Sequence, residues 1–175
     1  SIPENAVLIG IEPSAILSFR DEYPDLCRGD LKIKAKAFAQ RSILIEEFLA
    51  KELEEGRISP QSFTDKEERV RMHGHCFQKA LSSLVPLKKI LSMPQNYTVL
   101  NIPSGCCGMA GSFGYEKEHY DISMKIGELV LFPTIRSEKK ATLISASGTS
   151  CRHQIADGTG RKAKHAVEIL FDALK

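Results

Sequence analysis

Four short strand-like segments, alternating with helical patterns, constrain the fold of this chain more than any other feature. They lie at residues 6–11, 68–73, 97–102 and 141–146. The first, Ala6-Val7-Leu8-Ile9-Gly10-Ile11, is nearly continuous, as expected of a strand buried on both faces. The third, opening Tyr97-Thr98-Val99, is rich in β-branched and aromatic residues. The second alternates only at Val70 and Met72. Helical patterns fill the intervals. One spans 33–55, with Phe38, Ile45, Phe48, Leu49 and Leu53 on one stripe and Gly56 as the stop. A second spans 77–91, interrupted or kinked at Pro86. Ile122, Ile126, Leu129 and Val130 mark a third, closed or bent at Pro133. The last runs from 160 to 175, with Ala163, Val167, Leu170, Phe171 and Leu174 on its buried stripe. The alternation predicts an α/β fold: a mostly parallel, four-stranded, Rossmann-like sheet with helices on both faces.

At 175 residues and 42% hydrophobic, the chain has enough apolar material for one core, and residues 1–175 read as a single domain. A formal charge of +2 is too small to argue for nucleic acid. Lys88-Lys89, Lys139-Lys140 and the Arg161-Lys162-Ala163-Lys164 run read as solvated helix ends, with docking of an acidic partner as the alternative. No apolar run approaches the length of a transmembrane segment, and no secretory signal opens the chain. Lacking an initiator Met and starting close to a strand, it reads as a fragment of a larger protein. Five cysteines, two of them adjacent, do not resemble a secreted disulfide framework; they predict a reduced, cytoplasmic setting.

Chemistry concentrates in the loops after the strands. Cys106 and Cys107 are poorly placed to bridge each other, because the small ring strains disulfide geometry. They can instead put two thiolates on one target, with Gly105 and Gly108 letting the backbone come close. Soft thiolates favour iron–sulfur clusters, zinc or copper. In open parallel sheets, sites form outside the carboxyl ends of the strands. That rule brings Cys76, Cys106, Cys107 and Cys151 to one edge. His73, His75 and His153 are additional candidates for ligation or for lining the pocket, and Gly148 for its backbone. Cys27 reads as a small core residue, and His119 and His165 as surface or helix-face residues. The glycine-rich stretch 108–114 lacks the Lys-Ser/Thr ending of a phosphate loop and reads as a tight turn or a close backbone approach.

The segments Glu12-Pro13-Ser14-Ala15, His73-Gly74-His75-Cys76, Gly105-Cys106-Cys107-Gly108-Met109-Ala110-Gly111-Ser112-Phe113-Gly114 and Ser147-Gly148-Thr149-Ser150-Cys151-Arg152-His153 carry a likeness that spans almost the whole chain. The chain resembles the cysteine-rich CCG domain of heterodisulfide-reductase-like subunits and of iron–sulfur partners of FAD-linked glycolate and lactate oxidases. The likeness extends to the carboxyl-terminal part of large fused oxidases. The family pattern is a Cys, a Cys-Cys-Gly and a Cys-x-x-Cys, which implies a metal site at Cys76, Cys106, Cys107 and Cys151. The other Cys of the final pair falls at Gly148, and Ala15 stands where many relatives carry Cys. Four thiolates suffice for a 4Fe-4S cluster or for tetrahedral zinc, but not for five-thiolate ligation.

The resemblance implies an electron-transfer domain of an FAD-linked 2-hydroxy-acid dehydrogenase. FAD and a ferredoxin-type domain would lie elsewhere in the parent chain, and the domain alone would not be catalytic. The parent complex would be cytoplasmic or peripheral at the membrane. Two other classes stay open from the residues: a thiol–disulfide redox domain aided by His75 or His153, and a zinc-bound or metal-free docking module.

Overall fold

The computed structural model describes Pro3 and residues 6–175. Strand β1 (Leu8–Gly10) leads into helices α1 (Pro13–Ile16), α2 (Glu22–Leu26) and α3 (Gly29–Ala39). Strand β2 (Ser42–Leu44) runs directly into α4 (Ile45–Glu54). Next come β3 (Glu68–His73), α5 (Cys76–Leu81), α6 (Val85–Leu91) and β4 (Tyr97–Asn101). The chain continues through α7 (Tyr120–Leu129), α8 (Leu131–Ser137), β5 (Leu143–Ala146), α9 (Thr149–Thr159) and α10 (Ala166–Asp172).

The fold is α/β and the strands named pair in parallel, but they make two sheets rather than one of four strands. One sheet is β1-β2; the other has the order β4-β3-β5. The difference originates at Ser42-Ile43-Leu44, which the helical stripe over 33–55 had absorbed. Those residues pair with Leu8, Ile9 and Gly10 and leave Leu44 fully buried. A buried strand partner outweighs helical periodicity in a run that is equally apolar in either form.

The pattern over 77–91 is interrupted, as α5 ends at Leu81 and Pro86 lies in the first turn of α6, where a proline loses no intrahelical hydrogen bond. Pro133 likewise sits in the first turn of α8, beyond a break at Val130. On α7, Ile122 and Leu129 are exposed, while Ser123 and Gly127 take the buried face. The last pattern does not start at 160. Lys164 pairs with β5, its N–H donating to Ile144 O at 2.9 Å, and His165 then caps α10. The cap sets the helical phase, so Ala166, Ile169, Leu170 and Ala173 are buried while Val167, Phe171 and Leu174 face out.

Helices cover both faces of the three-stranded sheet. On one face Val70, Met72 and Val99 pack with Leu87, Ile90 and Leu91 of α6 and with Ile169 and Leu170 of α10. On the other, Ile144 and Ala146 pack with Leu131, Phe132 and Ile135 of α8 and with Ile155 of α9. Strand side chains alternate between faces, so Arg71 and His73 point to this second side. Arg71 Nε accordingly reaches Glu138, just past α8, at 2.5 Å. The same alternation aims His73 at the cysteines.

Candidate metal centre

Strand β3 lies at the centre of its sheet, with β4 on one side and β5 on the other. The chain thus leaves β3 in one direction and returns on the opposite side. Such a switch opens a crevice at the carboxyl ends of the strands. His73 ends β3, and Cys76 starts α5 three residues later. Cys106 and Cys107 follow β4, and Cys151 lies in the first turn of α9 after β5.

The four cysteines form a continuous series of thiol contacts. Cys76 touches Cys106, Cys106 touches Cys107, and Cys107 touches Cys151. The series runs inward, from exposed Cys76 through half-buried Cys106 to buried Cys107 and Cys151. His73 closes the inner end: its ring nitrogen and the Cys107 and Cys151 sulfurs all lie within 4.8 Å of one another.

Protonation alternates along the series, because adjacent thiols cannot all ionise. Hydrogen bonds from Cys107 and Cys76 depress the Cys106 thiol, helped by the Gly108 N–H at 3.3 Å from its sulfur. The Cys107 hydrogen bond brings Cys151 down to about 5 despite burial, with His73 adding to the effect. Cys107 is pushed up, first by its bond to Cys106, and Cys76 for the same reason.

Surrounding groups hold the loops. Lys79 Nζ, on the helix that Cys76 begins, donates to Ser104 O at 2.7 Å and also to Gly105 O. Gly108 has φ +102, and a Cβ there would lie 2.2 Å from the Ser123 carbonyl oxygen, so only glycine fits. Gly105 has open space around it. Glu12 reaches from the β1–α1 junction to accept the Thr149 N–H at 2.8 Å, capping α9 from outside. In the sequence Glu12 stands out only within the Glu12-Pro13-Ser14-Ala15 segment, and Lys79 carries no signal of its own. A carboxylate beside Pro and Ser was the one available hint.

The five histidines occupy five different settings. His73 is fully buried, its Nδ1 is 2.8 Å from Ser104 Oγ, and its Nε2 has no partner among the described residues. His75 caps α5, its Nδ1 accepting the Phe77 N–H at 3.2 Å, and its ring lies against Gly148. His153 does not join: it is exposed and bonds Tyr115 Oη at 2.6 Å, because two residues along a helix point to different sides. His119 stacks on Phe113 near the surface, as expected. His165 departs from expectation, being buried at 7% exposure, where Nε2 meets Ile11 O at 3.1 Å. Cys27 is half-buried at the end of α2.

Sequence comparison adds the chemical context. The chain is 30% identical over 169 residues to a subunit of the anaerobic glycerol-3-phosphate dehydrogenase of Escherichia coli (strain K12), matching 95% of this chain and 40% of that protein. It is 28% identical over 169 residues to the D-2-hydroxyglutarate dehydrogenase of the same strain, covering 96% of this chain and 16% of the relative. The dehydrogenase of that name from Pantoea ananatis (strain AJ13355) is 27% identical over 171 residues, covering 95% and 15%. The chain therefore spans well under half the length of these relatives. No family model matches it, and no solved structure matches it.

The relatives are named as dehydrogenases, and the residues present suit a soft metal. Several sulfur donors and one buried imidazole nitrogen without a partner are the donor chemistry of an iron–sulfur or zinc site. Among the described residues, no helix is long and apolar enough to cross a membrane.

Proposed function

We propose that this chain is a CCG-type electron-transfer domain of a larger FAD-linked 2-hydroxy-acid dehydrogenase. Cys76, Cys106, Cys107 and Cys151 would hold an iron–sulfur cluster of the 4Fe-4S class. The observation that carries this reading is the unbroken series of four thiols at the carboxyl end of a parallel sheet. Its similarity to parts of dehydrogenases supports it. When bound, the cluster supplies one-electron transfer between a reduced flavin and an acceptor.

The chain's own residues prepare the place. Burial of Cys107 and Cys151 keeps water from the inner donors. Gly108 N–H and the Lys79 ammonium set positive charge around the Cys106 loop, where thiolate charge must be held. Cys76 is the exposed end of the series and forms the edge presented to a partner. FAD, the hydroxy-acid pocket and a ferredoxin-type domain belong to other parts of the parent protein, which is cytoplasmic or peripheral at the membrane.

Zinc is the second reading, favoured by the compact trio of His73, Cys107 and Cys151. Anaerobic purification separates the two. Brown protein with broad charge-transfer absorbance and about four irons per chain supports the cluster. Colourless protein with one zinc supports the second reading, and protein with neither sinks both. Unchanged metal content in Cys107→Ser would refute the ligand assignment.

A further inference from the structure

We propose that His73 Nε2 is itself a donor of this centre, beside the inner Cys107 and Cys151 thiolates, and that the neighbouring His75 fills space beside it without ligating. The inference rests on the metal-centre reading above and deepens it.

The two imidazoles differ in what their Nδ1 atoms do. His75 Nδ1 accepts the Phe77 N–H at 3.2 Å, so it carries no proton. The neutral ring must then bear its hydrogen on Nε2, which has no lone pair for a metal. His73 Nδ1 instead faces a hydroxyl, Ser104 Oγ, at 2.8 Å. A hydroxyl can accept as well as donate, so Nδ1 is free to hold the hydrogen there and leave the lone pair on Nε2 for a metal. That is the arrangement of metal-bound histidines, whose second nitrogen is held by a neighbouring acceptor.

Position agrees with protonation. His73 is fully buried, and its Nε2 is without a partner among the described residues. Buried nitrogens are seldom left so, and the His73 ring brings a nitrogen within 4.8 Å of the Cys107 and Cys151 sulfurs. His75 occupies different ground. A Cβ on residue 148 would lie 2.5 Å from His75 Cδ2 and 3.2 Å from Cys151 Sγ. The His75 ring edge therefore fills the space a side chain at 148 would need. Only glycine there leaves room for it.

A neutral imidazole adds a donor without adding negative charge. Histidine in place of thiolate raises the potential of an iron–sulfur centre, so His73→Cys should lower the midpoint potential of the reconstituted chain. Cobalt(II) alone, added anaerobically to the full chain, is the direct probe. The wild-type chain should give tetrahedral bands of mixed thiolate and imidazole donation. Thiolate is the weaker-field donor, so His73→Cys should move the visible bands to longer wavelength and strengthen the thiolate charge-transfer absorbance. His75→Ala should leave band positions where they are. Ser104→Ala should weaken cobalt affinity about 10- to 100-fold with bands unmoved, as loss of an orienting partner does.

Identical bands in wild type, His73→Cys and His73→Ala would overturn the inference while leaving a thiolate metal site intact. A band shift in His75→Ala would overturn it as well. Wild-type chain without any cobalt–thiolate absorbance would end the metal-centre reading itself. Far-UV circular dichroism accompanies each variant, and His73→Cys keeps a donor in place if His73→Ala fails to fold.

Discussion

At Gly148 a single missing Cβ controls the neighbourhood of the metal centre. Any larger residue meets the His75 ring at 2.5 Å, with Cys151 Sγ close behind. Gly148→Cys should therefore destabilise the chain by about 1–3 kcal/mol, the usual cost of overpacking. Combining it with His75→Ala should recover most of that loss. Chemical denaturation of both variants and of His75→Ala checks the coupling; additive effects would disprove the contact. Gly108 is constrained by backbone rather than by a ring. Gly108→Ala places a Cβ against Ser123 O at φ +102 and should cost more than about 1 kcal/mol, read as a lowered denaturation midpoint.

Among the elements, α8 and α4 carry the clearest expectations. The Phe132 ring is fully buried and so close to Gly127 of α7 and Gly158 of α9 that a Cβ at either would lie 2.3 Å from it. Phe132→Ala should cost about 3–5 kcal/mol, since three helices meet at the vacated space. Glu47 joins α4 to the segments around it. Burial raises its carboxyl pKa, but hydrogen bonds from Arg20, Ser82 and the Leu44 N–H overcome that and leave it lowered from 4.5. A depressed folded-state pKa stabilises above the unfolded value and loses that contribution as pH falls through the folded one. Stability of the wild-type chain should thus decline below about pH 4.5 more steeply than that of Glu47→Gln. Urea midpoints between pH 3 and 7, on the order of a unit apart, test the sign, and parallel curves would count against it.

Element-scale legibility followed the chemistry of each segment. Strand β4 was readable from its β-branched and aromatic residues, whereas β3 was marked only by the alternation of Val70 and Met72 and by the distinctive segment after it. Helix α9 was not readable. Its buried residues Cys151, Gln154, Ile155 and Gly158 have helical spacing, but two are polar or lack a side chain, so no apolar stripe appears. Gln154 is buried because its amide donates to Ser123 O at 3.1 Å, a partner 31 positions away. Strand β2 failed for the opposite reason: its run is apolar enough for either element, and only pairing with β1 decides.

For the molecule as a whole, metal and fold should be linked. The proposed donors lie on β3, α5, the loop after β4 and α9, so an ion held by them would tie these parts together. Mass action then predicts a rise of about 2.7 kcal/mol in stability when free metal exceeds its Kd a hundredfold. Anaerobic melting with and without cobalt(II) measures it, and an unchanged Tm at saturating metal would contradict the linkage.

The sequence alone determined that strands and helices alternate, and with that the parallel pairing. It also placed Cys76, Cys106, Cys107 and Cys151 just beyond the carboxyl ends of strands, because a parallel crossover delivers every such junction to one edge. Tertiary structure decided the rest. It set β1 with β2 in a separate sheet, turned His153 away to Tyr115, and buried His73 beside the inner thiols with Nε2 unpartnered among the described residues. Those outcomes depend on which side of a strand or helix a residue faces and on partners distant in the chain, such as Ser104 for His73. Local pattern does not encode such contacts; packing does.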